Sequence, residues 1–302
     1  MNDSLTIHQL GNGLTVLLKE IHTAPIVSAW VWYGVGSRNE VPGKTGVSHW
    51  VEHMQFKGTQ KRSAQDMDHT IARLGGYWNA FTSPDWTAYF ETLPASALET
   101  ALELEADRMT NSLFDPLEVE TERTVIISER EGSENDPQFL LNEAVQAHAF
   151  KHHPYRNEVI GSKEDLLALT REDLYTHYRQ TYQPANAILC IAGDFNTSEA
   201  LCLVEKHFGS IPAGKVVKNI PEPEDDLPEL SQLELQGPGE TTFIQVAYRS
   251  PKADSDDFFA FSLMESLLTG PSNLNMFGSG GVGHHTRDRK STRLNSSHGK
   301  LS

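Results

Sequence analysis

His49-Trp50-Val51-Glu52-His53 places two imidazoles four residues apart, with a carboxylate beside the second. At about 100° per residue, a four-residue step on a helix brings the second ring back to within roughly 40° of the first, so both can grip one metal ion. Glu52 then lies at the edge of the same face. Zinc-dependent hydrolysis needs this set: two neutral imidazole ligands, and a base that reaches the activated water without binding the metal. The chain holds 13 histidines, so such a string also arises by chance. It is incomplete as well, because catalytic zinc takes three protein ligands and keeps one position open.

Thr121 to Glu131 offers further carboxylates, in a stretch of helix formers that opens after Asp115-Pro116. Glu122 and Glu129 are two helical turns apart and share a face, with Val125 and Ile126 between them on the turn expected to pack inward. Taken alone, acidic residues near a helix start and on a solvated face are ordinary.

The chain resembles the pitrilysin-type inverted-zincin peptidases, which include insulin-degrading enzyme and the mitochondrial processing peptidases. The five-residue motif is their H-x-x-E-H. Further likenesses are Asn12-Gly13-Leu14, Gly34-Val35-Gly36-Ser37-Arg38-Asn39-Glu40, Gly46-Val47-Ser48, Phe56-Lys57-Gly58-Thr59, Asn79-Ala80-Phe81-Thr82, Asp85-Trp86-Thr87, His153-Pro154-Tyr155 with Ile160-Gly161, and Gly193-Asp194-Phe195. They run from residue 5 to residue 286.

The resemblance implies a zinc endopeptidase with one Zn2+ per chain. Its third ligand is the glutamate closing a Glu-Arg-x-Val-Ile-x-x-Glu pattern, which falls on Glu129; metal ligands are then His49, His53 and Glu129. Glu131 is the neighbouring competitor, turned about 200° away around the helix. Glu122 matches a second acid that supports the site without binding metal, and Glu52 is the general base that passes the water proton to the leaving amine. By the same resemblance Asn79, Ala80 and Phe81 form an edge strand onto which an extended substrate adds through backbone hydrogen bonds; an interior strand with a packed Phe81 is the alternative. Unfolded peptides, preferably basic, are the implied substrates. The alternative function is a low-activity or non-catalytic subunit or fragment of a two-subunit processing-peptidase-like complex. A purely structural zinc site would want four ligands, usually with cysteine.

Around these residues, Leu5–Leu10 and Leu14–Lys19 read as a hairpin across Gly11-Asn12-Gly13. Ile26–Tyr33 reads as a third strand, and the stretch from Gly43 to Lys57 carries the motif helix. Tyr77–Thr82, Thr87–Leu93 and Ala187–Ala192 complete the strands. Helices fit Ala95–Asn111, Pro116–Gly132, Phe139–Phe150, Arg171–Tyr182 and Ser198–Phe208. The order indicates an α+β fold, a mixed sheet with helices packed on one face.

Residues 1–215 are thus expected to form the zinc-binding peptidase domain, and the acidic, Pro-rich stretch 216–230 a linker. Ser231–Gln236 and Thr241–Tyr248 as strands, with Phe258–Leu268 as a helix, would open a second, related domain over 231–286 that does not finish. Residues 287–302, polar and basic, resemble translated adapter sequence and are expected to be non-native. Lacking most of a second domain, the chain is expected to bind zinc yet cut peptides poorly.

The net charge of −16 opposes nucleic-acid binding. No apolar run approaches the roughly 18 residues of a membrane span, and Met1-Asn2-Asp3-Ser4 does not open a signal peptide. Cys190 and Cys202 read as buried free thiols in a reducing compartment, so a cytoplasmic location is expected. Expected partners are peptide substrates and either a second copy or a related non-catalytic subunit. His152, His153, His284 and His285 read as loop residues outside the metal site.

Overall fold

The computed structural model describes residues 5–214, 231–237 and 241–269. It divides into two compact units, 1–245 and 246–302. In the first unit six strands form one mixed sheet: β1 (Thr6–Gln9), β2 (Thr15–Glu20), β3 (Ile26–Tyr33), β4 (Tyr77–Thr82), β5 (Thr87–Pro94) and β6 (Ala187–Gly193). Their order across the sheet is β1-β2-β6-β3-β5-β4. Every pairing is antiparallel except that of β2 with β6. The helices are α1 (Val47–Met54), α2 (Ala64–Arg73), α3 (Leu98–Asn111), α4 (Pro116–Glu134), α5 (Pro137–Ala149), α6 (Lys163–Ala168), α7 (Arg171–Thr181), α8 (Thr197–Phe208) and, in the second unit, α9 (Asp257–Thr269).

A strand's period of two sends alternate side chains to opposite faces. On β3, Val27, Ala29, Val31 and Tyr33 are buried in the core, where α3 packs on β3 and β5, and α8 on β2. The other face carries Ser28, Trp30 and Trp32; Trp30 stacks on Phe90 at 4.2 Å, and Phe81 stands edge-on to both tryptophans. Among the described residues no helix is long and apolar enough to cross a membrane.

The motif helix lies within Gly43 to Lys57, as expected, and starts only at Val47 because Gly43 and Gly46 adopt φ of 84° and 85°, a left-handed conformation that ends any helical run there. The structure corrects several expectations. Val125 does not pack inward: it is 46 % exposed, whereas Ile126 is fully buried. The inner stripe of α4 runs through Val119, Glu122, Ile126 and Arg130, leaving Val125 to one side. Cys190 is half-buried in β6, and Cys202 is exposed on α8 rather than buried.

Two helices were missed, α2 and α6. Each begins at a serine whose side chain accepts from the backbone three residues on, Ser63 from Asp66 and Ser162 from Asp165. That Ser-x-x-Asp signal stood in the sequence.

Residues 231–236 and 241–248 form no strand among the described residues, and Ile244 and Tyr248 are largely exposed. A strand is held by ladder bonds to a neighbour, and no described segment pairs with either stretch. Helix α9 forms over the expected residues, with Phe259, Leu263, Leu267 and Leu268 exposed. The expected linker, His284-His285 and the 287–302 tail lie outside the described residues.

Candidate active site

The placement of α1 starts with its N-terminus. Glu40 accepts the Gly46 N–H on one carboxylate oxygen and the Ser48 N–H on the other, each at 2.8 Å. These are amides that the helix itself leaves unpaired. A Cβ on Gly46 would strike the Ile160 carbonyl, and one on Gly161 would lie 2.5 Å from the Thr45 carbonyl, so both positions require glycine for close backbone approach. Trp50 of α1 is fully buried, with the Arg123 guanidinium of α4 at 4.7 Å from its ring. Arg123 also donates to the Leu166 and Leu169 carbonyls. This contact sets the register of α4 against α1.

With that register, His49, His53 and Glu129 each present one donor atom, all within 4.8 Å of one another. Glu129 Oε2 lies 4.0 Å from His49 Nε2 and 3.7 Å from His53 Nε2. A tetrahedral zinc with bonds of about 2.0–2.1 Å holds its ligand atoms roughly 3.3–3.4 Å apart, so the two histidine–Glu129 separations would each have to shorten for Glu129 to join both imidazoles on one ion. Glu129 is 44 % exposed and opens the cluster to solvent. Among the described residues no other histidine, cysteine or carboxylate group converges in this way. His153 instead caps a short turn, its ring accepting from the Tyr155 N–H.

His53 Nδ1 is 2.8 Å from Glu122 Oε1. The carboxylate accepts, so Nδ1 carries the proton and Nε2 keeps its lone pair toward Glu129. His49 Nδ1 is buried without a hydrogen-bond partner. Burial, then the neighbouring His53, holds the His49 imidazole down at about 3, neutral at ordinary pH and able to ligate. Burial disfavours the charged form of His53, yet the Glu122 hydrogen bond and the carboxylates of Glu52, Glu129 and Glu122 raise its pKa overall. For Glu122 burial acts upward, and contacts with His53 and Lys57 outweigh it, lowering the pKa.

Glu52 is buried, and its Oε2 accepts from Thr82 Oγ1 at 2.5 Å. Burial pushes its carboxyl up to about 7, against the lowering effect of Thr82 and His53. A carboxylate poised near neutrality, beside two imidazoles and outside the three-donor set, has the properties of a general base.

The structure therefore brings His49, Glu52, His53, Glu122 and Glu129 together. Glu131 points elsewhere, to Lys163. Asn79, Ala80 and Phe81 lie on β4, which is an edge strand and not an interior one. Thr82 of β4 faces Glu52, so by alternation the Asn79 and Phe81 side chains point to the opposite face, where Phe81 packs on Trp30, Trp32 and Trp86. Sequence reasoning missed Glu40, Lys57, Thr82 and Arg123 as supports of the site. Each stands within or beside a segment quoted for the family resemblance, but nothing in its type announced its partner.

The fold and the convergence of His49, His53 and Glu129 point toward a zinc-peptidase family. Family models agree: Insulinase (Peptidase family M16) matches residues 15–163, and Peptidase M16 inactive domain matches residues 168–293. The chain belongs to peptidase family M16. It is 36 % identical over 201 residues to an uncharacterised zinc protease of Mycobacterium leprae, covering 67 % of this chain and 45 % of that one. It is 30 % identical over 208 residues to the mitochondrial-processing peptidase subunit beta of Blastocladiella emersonii, covering 69 % of this chain and 45 % of the relative. Among solved structures, a protease from Helicobacter pylori superposes with a TM-score of 0.70 at 35 % identity, over 74 % of this chain and 55 % of the other. The first half of the periplasmic protease PqqL from Escherichia coli gives 0.68 at 29 % identity, over 73 % and 49 %. The chain spans about half the length of the curated relatives it matches.

Proposed function

We propose that this chain is the catalytic half of a zinc endopeptidase that hydrolyses unfolded peptides. The convergence of His49, His53 and Glu129, with the buried base Glu52 beside them, supports the reading most directly. The donor set suits zinc: two imidazoles, one held neutral and one fixed in tautomer by a carboxylate, plus a carboxylate open to solvent. When bound, zinc supplies Lewis acidity, lowering the pKa of a water molecule and polarising the scissile carbonyl.

The chain's own residues do the rest. Glu52 Oε1, the oxygen not held by Thr82, takes the water proton and returns it to the leaving nitrogen. Thr82 fixes the base to the edge strand, so that the substrate's position and the base's position are set by one element. An extended peptide adds along the outer edge of β4 at Asn79, Ala80 and Phe81, backbone to backbone, with little demand on its sequence. Residues 231–286 are read as belonging to a second domain of the same family; the inactive-domain match over 168–293 spans them, although it begins earlier, at residue 168.

A second reading, that the chain works as one subunit or fragment of a two-part peptidase, is favoured by its covering about half of each relative and by the likeness to a processing-peptidase beta subunit. The test is cleavage of a quenched unfolded peptide with zinc content measured alongside. Glu52→Gln is expected to keep the metal and lose on the order of a thousandfold in rate. Loss of zinc in that variant would make Glu52 a ligand and overturn its assignment as base.

A further inference from the structure

Glu122 has two oxygens, and they do different things. Oε1 lies 2.8 Å from His53 Nδ1, whereas Oε2 lies 2.5 Å from Lys57 Nζ. The carboxylate is 6 % exposed and its Oε2 is sealed from solvent. The ammonium and this oxygen form an ion pair in which Lys57 supplies the positive charge. Among the described residues Lys57 is the one lysine or arginine paired with Glu122.

The approach follows from the local fold. After α1 the chain turns tightly: Phe56 N–H bonds the His53 carbonyl and Lys57 N–H the Met54 carbonyl, both at 3.1 Å. Phe56 is anchored against Trp78, with ring centroids at 4.8 Å. Lys57 thereby leaves the backbone one turn beyond His53 and crosses to Glu122 on α4, its side chain 28 % exposed, with the stem along the protein and the charge turned inward.

We infer that Lys57 is a positioning residue for metal binding: its ammonium anchors the Glu122 carboxylate, which in turn orients the His53 imidazole toward the metal. The inference rests on the zinc reading above. With Lys57 gone, Glu122 Oε2 would be a buried anionic oxygen with no cation beside it. The carboxylate would then turn toward water and release His53 Nδ1. His53 would lose its fixed tautomer and ring orientation, while His49 and Glu129 would be untouched. Outer partners of this kind typically change metal affinity by about 10–100-fold.

The experiment is zinc affinity by chelator competition on the full chain, with thermal unfolding of the zinc-free protein as control. Lys57→Met is expected to weaken zinc binding about tenfold or more while the zinc-free transition stays near that of wild type. Lys57→Arg, which restores a cation, should recover most of the affinity, and Lys57→Gln stands in if Lys57→Met does not fold. In a Glu122→Gln background Lys57→Met should cost nothing further, because the ammonium acts through that carboxylate. Wild-type affinity in Lys57→Met, or an equal loss on top of Glu122→Gln, overturns the inference. A wild-type chain that takes up no zinc at all would instead fail the underlying zinc reading, and the inference with it.

Discussion

Two clusters in this molecule gather acid, and one presents converging donors to solvent while the other is closed. In the core, Arg108 Nη2 meets Glu91 Oε1 at 2.8 Å and also Glu105 Oε1, and all three side chains are no more than 2 % exposed. The guanidinium lies 4.9 Å from the Tyr89 ring, 5.2 Å from Trp78 and 5.3 Å from Phe56. Burial and then Glu105 raise the pKa of Glu91 well above the ordinary carboxylate value. At the α1–α4 site the carboxylates face imidazoles with free lone pairs, and Glu129 stands open to solvent. Excess acid does not make a site; converging donors with a way in from water do. The closed cluster serves the open one, because Phe56 and Trp78, which Arg108 pins, belong to the exit of α1 and to the edge strand.

The comparison breaks first at Arg108. Removing the single buried cation leaves the Glu91–Glu105 pair without its countercharge, so Arg108→Met is expected to destabilise the zinc-free chain by about 3–5 kcal/mol in urea unfolding. Replacing Glu91 and Glu105 by glutamine in the same protein should recover much of that. A loss under about 1 kcal/mol would mean the core cluster is not held by its charges.

A smaller effect separates the clusters by pH. Burial pushes Glu52 up to about 7 and Glu40 up to about 8 from an ordinary 4.5. The folded chain then binds protons that the unfolded chain has already released, so each group contributes stability that is full below 4.5 and is lost as pH rises through its folded value. The difference in urea midpoint between wild type and Glu52→Gln isolates one of them: without zinc, wild type should lose ground relative to the variant between about pH 5 and pH 8. A gap that moves the other way would mean that Glu52 is ionised when buried.

Much of this was legible in the residues. Strands β1 to β6 appeared where alternation and turn signals put them, within a residue or two, because one sheet face is buried and the period of two is enforced. The helical spacing of His49, His53, Glu122 and Glu129 gave their shared faces, and resemblance selected Glu129 over Glu131. Contacts across the fold were not legible. Lys57 reaching Glu122, Thr82 reaching Glu52 and Arg123 stacking on Trp50 depend on how α1, α4 and β4 approach, which no spacing encodes. Val125 misled because an apolar residue between two functional acids looks like core, when it is the neighbouring Ile126 that packs. The stretches 231–236 and 241–248 had strand composition without a partner to pair with.

The smallest expected change lies two residues from the metal donor Glu129. Glu131 pairs with Lys163 at the surface, an exposed ion pair that solvent screens and that stands apart from the three donors. Zinc content at equilibrium, measured on wild type, Glu129→Ala and Glu131→Ala under the same metal buffer, tests the central claim most directly. The assignment of His49, His53 and Glu129 as the metal set requires about one zinc per chain in wild type, the same in Glu131→Ala, and a large loss in Glu129→Ala. Retention of the metal in Glu129→Ala with its loss in Glu131→Ala would contradict it.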